Sequence, residues 1–309
     1  MPSHSPLRTA AVGAGAATVG LAGLLAGQIR QARHSIGVSD ERPPSANGVY
    51  GDDLPGAPVR CLVLGDSAAV GYGMTLADAT PPALIGLTLS HLLDAPVNIH
   101  SEAVVGARSS DLREQVNRGL PFKPDVAVVV IGTNDVTHHV APHISERLLA
   151  MAVRRLVDAG CEVVVGTCPD LGTIRPIPQP LRWIAQQHGK ALARRQTVAV
   201  VSSGGRAVSL GDLLGPEFNE RFDVMFGSDR FHPSAAGYAK MVAVLVPSLA
   251  SAVREPEDGD LGADIGGRIM PLEEAAAEAE RHVGTEVRRA GRTRAAVLRR
   301  RAVSRSRAR

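Results

Sequence analysis

Between residues 59 and 252 the chain alternates short, β-branched apolar runs with longer stretches of helical character, and this alternation restricts the fold more than any other feature. The runs are VRCLVLG (59–65), PVNIHSEAVV (96–105), PDVAVVVIG (124–132), CEVVVGTC (161–168) and TVAVVSS (197–203). Continuous apolar runs of this length belong to strands buried on both faces. Helices are expected between them, near 80–93, 108–119, 144–159 and 180–195, with a last one at 234–252. Asp111, Ser145 and Pro233–Ser234 are the expected starts of three of these helices. Parallel strands need a crossover, so five such repeats imply an α/β fold with a parallel sheet and helices on both faces. Ligands of open parallel sheets sit at the carboxyl ends of the strands, next to a topological switch point.

The flanks differ from this body. Residues 9–28 (TAAVGAGAATVGLAGLLAGQ) run for twenty positions without a charge, after Arg8 and before Arg30 and Arg33. That length can cross a bilayer as a helix, and its small side chains also fit a secretory signal. Residues 1–34 are therefore expected to be a signal peptide or a membrane anchor, which implies a membrane-anchored protein or one exported to the cell envelope. Residues 35–58 are rich in Pro, Gly, Ser and Asp and are expected to be a linker. The globular domain then spans 59–252, followed by an acidic helical segment and an Arg-rich tail to 309.

Charge follows the same division. Residues 281–309 hold eleven arginines against the single acid Glu286, leaving 23 basic and 30 acidic residues in 1–280. The body is mildly acidic, so the overall charge of +3 argues poorly for nucleic acid as a partner. The tail suits anionic surfaces, including membranes. Three cysteines, Cys61, Cys161 and Cys168, provide no disulfide framework and are expected to be buried strand residues.

The strand ends carry the chemistry. The first ends in Gly65-Asp66-Ser67, the second in Val104-Val105-Gly106, and the third in Gly132-Thr133-Asn134-Asp135. Asp229-Arg230-Phe231-His232 precedes the last helix. A serine hydroxyl needs an adjacent base to act as a nucleophile, and His232 suits that role with Asp229 orienting its ring. Preorganised donors for an oxyanion are expected from the Ser67 and Gly106 N–H groups and the Asn134 amide. Gly106 is expected to be glycine so that backbone can approach substrate closely. Gly65, Asp66, Gly132 and Asp135 are supporting residues, the two acids bracing loops. No cofactor is needed and no metal site is expected.

These blocks (GDSxxxG at 65–71, a lone glycine after the second strand, GxND at 132–135 and DxxH at 229–232) resemble the GDSL, or SGNH, hydrolase superfamily over about 59–250. Ser67, Gly106, Asn134 and His232 match the four naming positions, and Ala68-Ala69 depart from the common Leu-Thr. The arrangement resembles that of membrane-associated actinobacterial members, although the N-terminal segment and the Arg-rich tail lie outside the family core. The resemblance implies a flavodoxin-like three-layer α/β/α sandwich, with a five-stranded parallel sheet of order 2-1-3-4-5. It also implies a serine esterase acting without metal on short- or medium-chain acyl or acetyl esters of small molecules, lipids or carbohydrates. Thioesterase, acyltransferase and lipase chemistry would use the same residues. A rival of another class is a non-catalytic envelope or nucleic-acid-binding protein that uses the Arg-rich tail.

Two further stretches follow strand ends. His138, His139 and His143 follow the GxND block, where they can line the crevice mouth or stand in solvent; Pro142 argues against a helical metal pair at His139 and His143. Residues 169–183 (PDLGTIRPIPQPLRW) follow the fourth run, and Ile174, Ile177, Leu181 and Trp183 can either form an acyl-binding wall or dock a surface loop on the core.

Overall fold

The structure, a computed structural model, describes residues 20, 23–31, 43–254 and 286–287. Its sheet has strands β1 (Gly48–Tyr50), β2 (Val59–Gly65), β3 (Val97–Ser101), β4 (Val126–Val130), β5 (Glu162–Gly166), β6 (Arg206–Val208) and β7 (Glu286–Val287). They lie in the order β1-β3-β2-β4-β5-β6-β7. The five central strands are parallel, in the expected 2-1-3-4-5 arrangement.

The sheet is wider than the five strands expected, because β1 and β7 add antiparallel edges. Part of the stretch read as a linker is therefore sheet: Val49 pairs with Asn98, and Tyr50 packs on the core. Residues 35–42 of that linker, the acidic segment and almost all of the Arg-rich tail lie outside the described residues, as does most of the apolar N-terminal segment.

Helices are α1 (residues 23–31), α2 (Ser67–Val70), α3 (Pro81–Leu93), α4 (Leu112–Gly119), α5 (Thr133–Thr137) and α6 (Pro142–Asp158). They continue with α7 (Leu181–Ser202), α8 (Leu210–Glu220), α9 (Phe222–Met225) and α10 (Ala235–Val253). The run TVAVVSS is the end of α7 rather than a strand. No breaker interrupts it, and Gly189, Leu192, Gln196, Ala199 and Val200 form a continuous buried face on the sheet, so packing overrides the β preference of its valines. The fifth parallel strand is instead the three-residue β6, too short to register as an apolar run.

Alternation along each strand divides the interior into two layers. Cys61, Val63 and Val128 face a core with Ile85, Leu89, Tyr238, Leu245 and Leu249 from α3 and α10. Leu62, Leu64 and Val129 face the other, with Leu112, Leu149, Leu156 and Val200 from α4, α6 and α7. Each fully buried aliphatic chain contributes roughly 1.5–3 kcal/mol. All three cysteines are free and buried in these layers. Among the described residues α10 alone is long and apolar enough to cross a bilayer, yet its Tyr238, Leu245 and Leu249 are wholly buried in the domain. At the other end of the chain, α1 docks through Gln28, which donates to the Gln179 carbonyl and accepts from Leu181 N–H at 3.2 Å.

The site lies at the carboxyl ends of β2 and β4, between crossovers that run in opposite directions. Gly65 closes that end: its φ is +135°, and a Cβ there would overlap the Val130 carbonyl. Gly65→Ala is expected to cost about 2–4 kcal/mol from backbone strain and overpacking, read as a lower urea midpoint with an unchanged slope.

Candidate active site

The chain leaves β2 at Gly65 and turns at once into α2. Asp66 caps that short helix, its carboxylate accepting from Ala68 N–H at 2.9 Å. Ser67, the first helical residue, is nearly buried, and its Oγ lies 3.0 Å from His232 Nε2.

His232 sits on a tight loop between α9 and α10. Gly227 N–H donates to the His232 carbonyl at 2.8 Å, and Phe226 bridges Pro233. Arg230, with φ +57°, turns the chain so that Asp229 and His232 face one another. Asp229 Oδ2 lies 2.6 Å from His232 Nδ1, while Oδ1 accepts from the Phe231 and His232 N–H groups at 3.0 Å each. With Nδ1 donating to the carboxylate, Nε2 is left to accept the serine proton. Burial alone would raise the Asp229 carboxyl, but its hydrogen bonds from the ring and the two backbone donors hold it below its ordinary value. The rings of Tyr72 and Phe231 pack on the imidazole with centroids at 4.4 and 5.0 Å. Tyr72 is held in turn by the buried Tyr238 hydroxyl, which donates to its carbonyl at 2.9 Å.

The expected oxyanion donors are adjacent. Neither the Ser67 N–H nor the Gly106 N–H has an acceptor among the described residues. Asn134 directs one amide hydrogen to the Ala107 carbonyl at 3.0 Å, which ties it to the residue after Gly106 and leaves its second hydrogen free. Gly106 has φ +81°, and a Cβ there would meet no protein atom within 4 Å. Backbone conformation, not crowding by the protein, thus calls for glycine at this turn.

Asp135, the last residue of the GxND block, is buried and accepts four hydrogen bonds. Ser109 donates through its N–H at 3.1 and 3.3 Å to the two oxygens and through its hydroxyl at 3.0 Å; Ser145 Oγ adds one at 2.9 Å. Asp135 therefore clamps the Gly106 loop to α6. Ser145 does not start that helix, which begins at Pro142; its hydroxyl serves Asp135 instead. Asp111 and Ser234 do precede their helices. Asp66 is the second buried acid, and burial pushes its carboxyl up to about 7, the Asp135 charge adding to the effect against the Ala68 hydrogen bond.

A pocket of about 80 Å³ opens beside Ser67 and His232. Its walls include Leu171, Ile174, Leu214, Phe218, Phe226 and Met241, with Thr133, Asp170 and Thr173 among the polar residues of the lining. Of the four expected wall residues only Ile174 lines it. Ile177 is in the core, Leu181 packs partly against it, and Trp183 is 57% exposed. His138, His139 and His143 are exposed, the first folding back on the Asn134 carbonyl at 2.9 Å. They do not gather with an acid or cysteine into a ligand group among the described residues.

Two buried glutamines escape motif-based reading. Gln115 accepts from Gly65 N–H and donates to Gly65 O, both at 2.8 Å. Gln196 accepts from Cys168 N–H at 2.7 Å and donates to Ile131 O at 2.9 Å. Each supplies a strand end with the backbone partners it lacks once the ladder stops. Their one signal in the sequence is a polar residue within an apolar helical face, as in Leu112-x-x-Gln115-Val116.

Residues 63–240 match the model of the GDSL-like lipase/acylhydrolase family. The chain is 41% identical over 279 residues to GDSL-like esterase Rv1075c of Mycobacterium tuberculosis, covering 84% of this chain and 87% of that one. Among solved structures, a candidate GDSL-like lipase from Parabacteroides merdae superposes with a TM-score of 0.52 at 15% identity, over 63% of this chain and 96% of that one. The psychrotrophic esterase EstA from Pseudoalteromonas sp. gives 0.50 at 14% identity, over 62% and 97%. At these identities the solved structures bear on fold alone.

Two outcomes are expected from the buried acids. Asp135→Ala strands the Ser109 and Ser145 donors, so kcat should fall about 10–100-fold through the loosened Gly106 loop with little change in KM. The raised Asp66 carboxyl means that the folded state holds a proton the unfolded chain releases near pH 4. Its contribution is complete below the unfolded value and is lost as pH rises through about 7. Wild-type stability minus that of Asp66→Asn should therefore decline between about pH 4 and 7, by at most on the order of 4 kcal/mol. Urea midpoints across that range measure it, and a flat difference would count against the assignment.

Proposed function

The chain belongs to the GDSL-like lipase/acylhydrolase family and is a carboxylic ester hydrolase, and from that premise we propose that it is a serine esterase working through an acyl-enzyme on Ser67. The observation that carries this reading is the unbroken hydrogen-bonded line Asp229–His232–Ser67, at 2.6 and 3.0 Å.

In the proposed cycle Ser67 Oγ attacks the ester carbonyl carbon while its proton passes to His232 Nε2. Asp229 stabilises the imidazolium from the Nδ1 side. Negative charge on the former carbonyl oxygen is met by the Ser67 and Gly106 N–H groups and the second Asn134 hydrogen, donors that need no reorganisation. The alcohol departs with the proton from His232, leaving the acyl group on Ser67. Water then gives a proton to His232, attacks the acyl carbon and releases the acid, and Ser67 recovers its proton.

The small apolar pocket beside Ser67 favours a short acyl chain, since about 80 Å³ holds only a few water-sized groups. A membrane-anchored or envelope location is part of the proposal and rests on the uncharged residues 9–28.

p-Nitrophenyl butyrate should be hydrolysed at least about tenfold more efficiently than the dodecanoate. Ser67→Ala and His232→Ala should each lower kcat by about 10⁴ or more while the fold, followed by circular dichroism, is retained. Undiminished turnover in Ser67→Ala would overturn the mechanism.

A further inference from the structure

Two arginines stand one residue along the chain from the pocket lining, and neither is closely paired with an acid among the described residues. Arg175 follows the pocket residue Ile174, and Arg230 precedes the pocket residue Phe231 on the same loop as His232. Both lie against one buried ring, with guanidinium carbons 4.7 and 5.1 Å from the Phe222 centroid. Their charges are thus brought together from loops more than fifty residues apart.

Their surroundings leave them at most loosely paired. Arg175 donates to the Asn219 carbonyl at 2.8 Å, and no carboxylate pairs with it among the described residues. Arg230 has only Asp223, at 3.9 Å and 85% exposed, a loose partner. Asp229 is committed to His232, and Asp170 accepts from Gly172 N–H and Gln186. Nearby Arg221 and Lys240, by contrast, are both paired with Glu217. Stacking on an aromatic face orients a guanidinium without cancelling its charge, and its hydrogen-bonding edge stays available for a carboxylate or phosphate.

We propose that Arg175 and Arg230 form a rim site for an anionic group, carboxylate or phosphate, on the alcohol portion of the ester. The inference rests on the esterase reading of Ser67. With the acyl chain in the apolar pocket, the part of the substrate left toward the exposed arginines is the alcohol. Phe222, held in the core beneath both guanidiniums, sets their spacing.

The test compares p-nitrophenyl butyrate with 5-butyryloxy-2-nitrobenzoate, whose leaving group carries a carboxylate, in wild type, Arg175→Met, Arg230→Asn and the double variant. Asparagine is chosen at 230 because it tolerates positive φ. The ratio of kcat/KM for the anionic to the neutral ester should fall roughly tenfold in the double variant and decline with salt in wild type. An unchanged ratio with both esters hydrolysed overturns the rim site alone; turnover no greater than that of Ser67→Ala overturns the esterase reading. Calorimetry on Ser67→Ala provides a readout independent of turnover. Phenyl phosphate and benzoate, which separate phosphate from carboxylate recognition, should compete for one site that the added Arg175→Met and Arg230→Asn changes abolish. Equal binding in both backgrounds overturns the proposal.

Discussion

The close approach of β2 to β4 at their carboxyl ends sets the rest of the site. Gly65 lies so near the Val130 carbonyl that no side chain fits, and the chain can turn there only through a positive φ. That turn places Ser67 at the head of α2, beside the loop that brings His232 from 165 residues away. On the other side of the same gap, Gly132 makes a similar turn into α5 and presents Asn134. Both side chains therefore ride on the first residues after a strand, where the backbone is anchored by the sheet.

Anchoring at the strand ends is polar. Gln115 and Gln196 complete the backbone hydrogen bonding that the sheet leaves open, and Asp135 gathers three side-chain and backbone groups around the Gly106 loop. A buried, satisfied amide does this without a charge to desolvate; the two buried acids do it at a cost. Asp66 shows that cost in its raised carboxyl, because burial disfavours the charged form and the nearby Asp135 charge adds to the effect. Stability is given up where the nucleophile turn must hold its shape. The alignment of Asp229, His232 and Ser67 depends on that shape, whereas the apolar pocket and the arginine rim decide what can be presented to it.

Much of this was legible in the sequence because the strand runs and site residues obey local rules. VRCLVLG and PDVAVVVIG could be little other than buried strands, and Gly-Asp-Ser, Gly-x-Asn-Asp and Asp-x-x-His carry their chemistry in residue types at short spacing. TVAVVSS misled because its β-branched residues also fit a helical face, and only the sheet beneath α7 decides between the two. Arg-Ala-Val in β6 and Gly-Val-Tyr in β1 are strands only because a neighbouring edge was available to pair with. Trp183 looked like a pocket wall from its place in the chain, yet it projects outward, because helix phase rather than sequence proximity sets the direction of a side chain.

The sequence by itself determined the layered parallel architecture, the order of its strands through the family resemblance, and the choice of candidate reactive residues. Those follow from backbone periodicity and from functional groups that few residue types possess. Tertiary structure alone decided the distances of 3.0 and 2.6 Å along the line from Ser67 to Asp229, the clamps by Gln115 and Gln196, and the meeting of Arg175 with Arg230 over Phe222. Each is a contact between segments far apart along the chain. No local pattern encodes such a contact, because it exists only once the sheet has placed both partners.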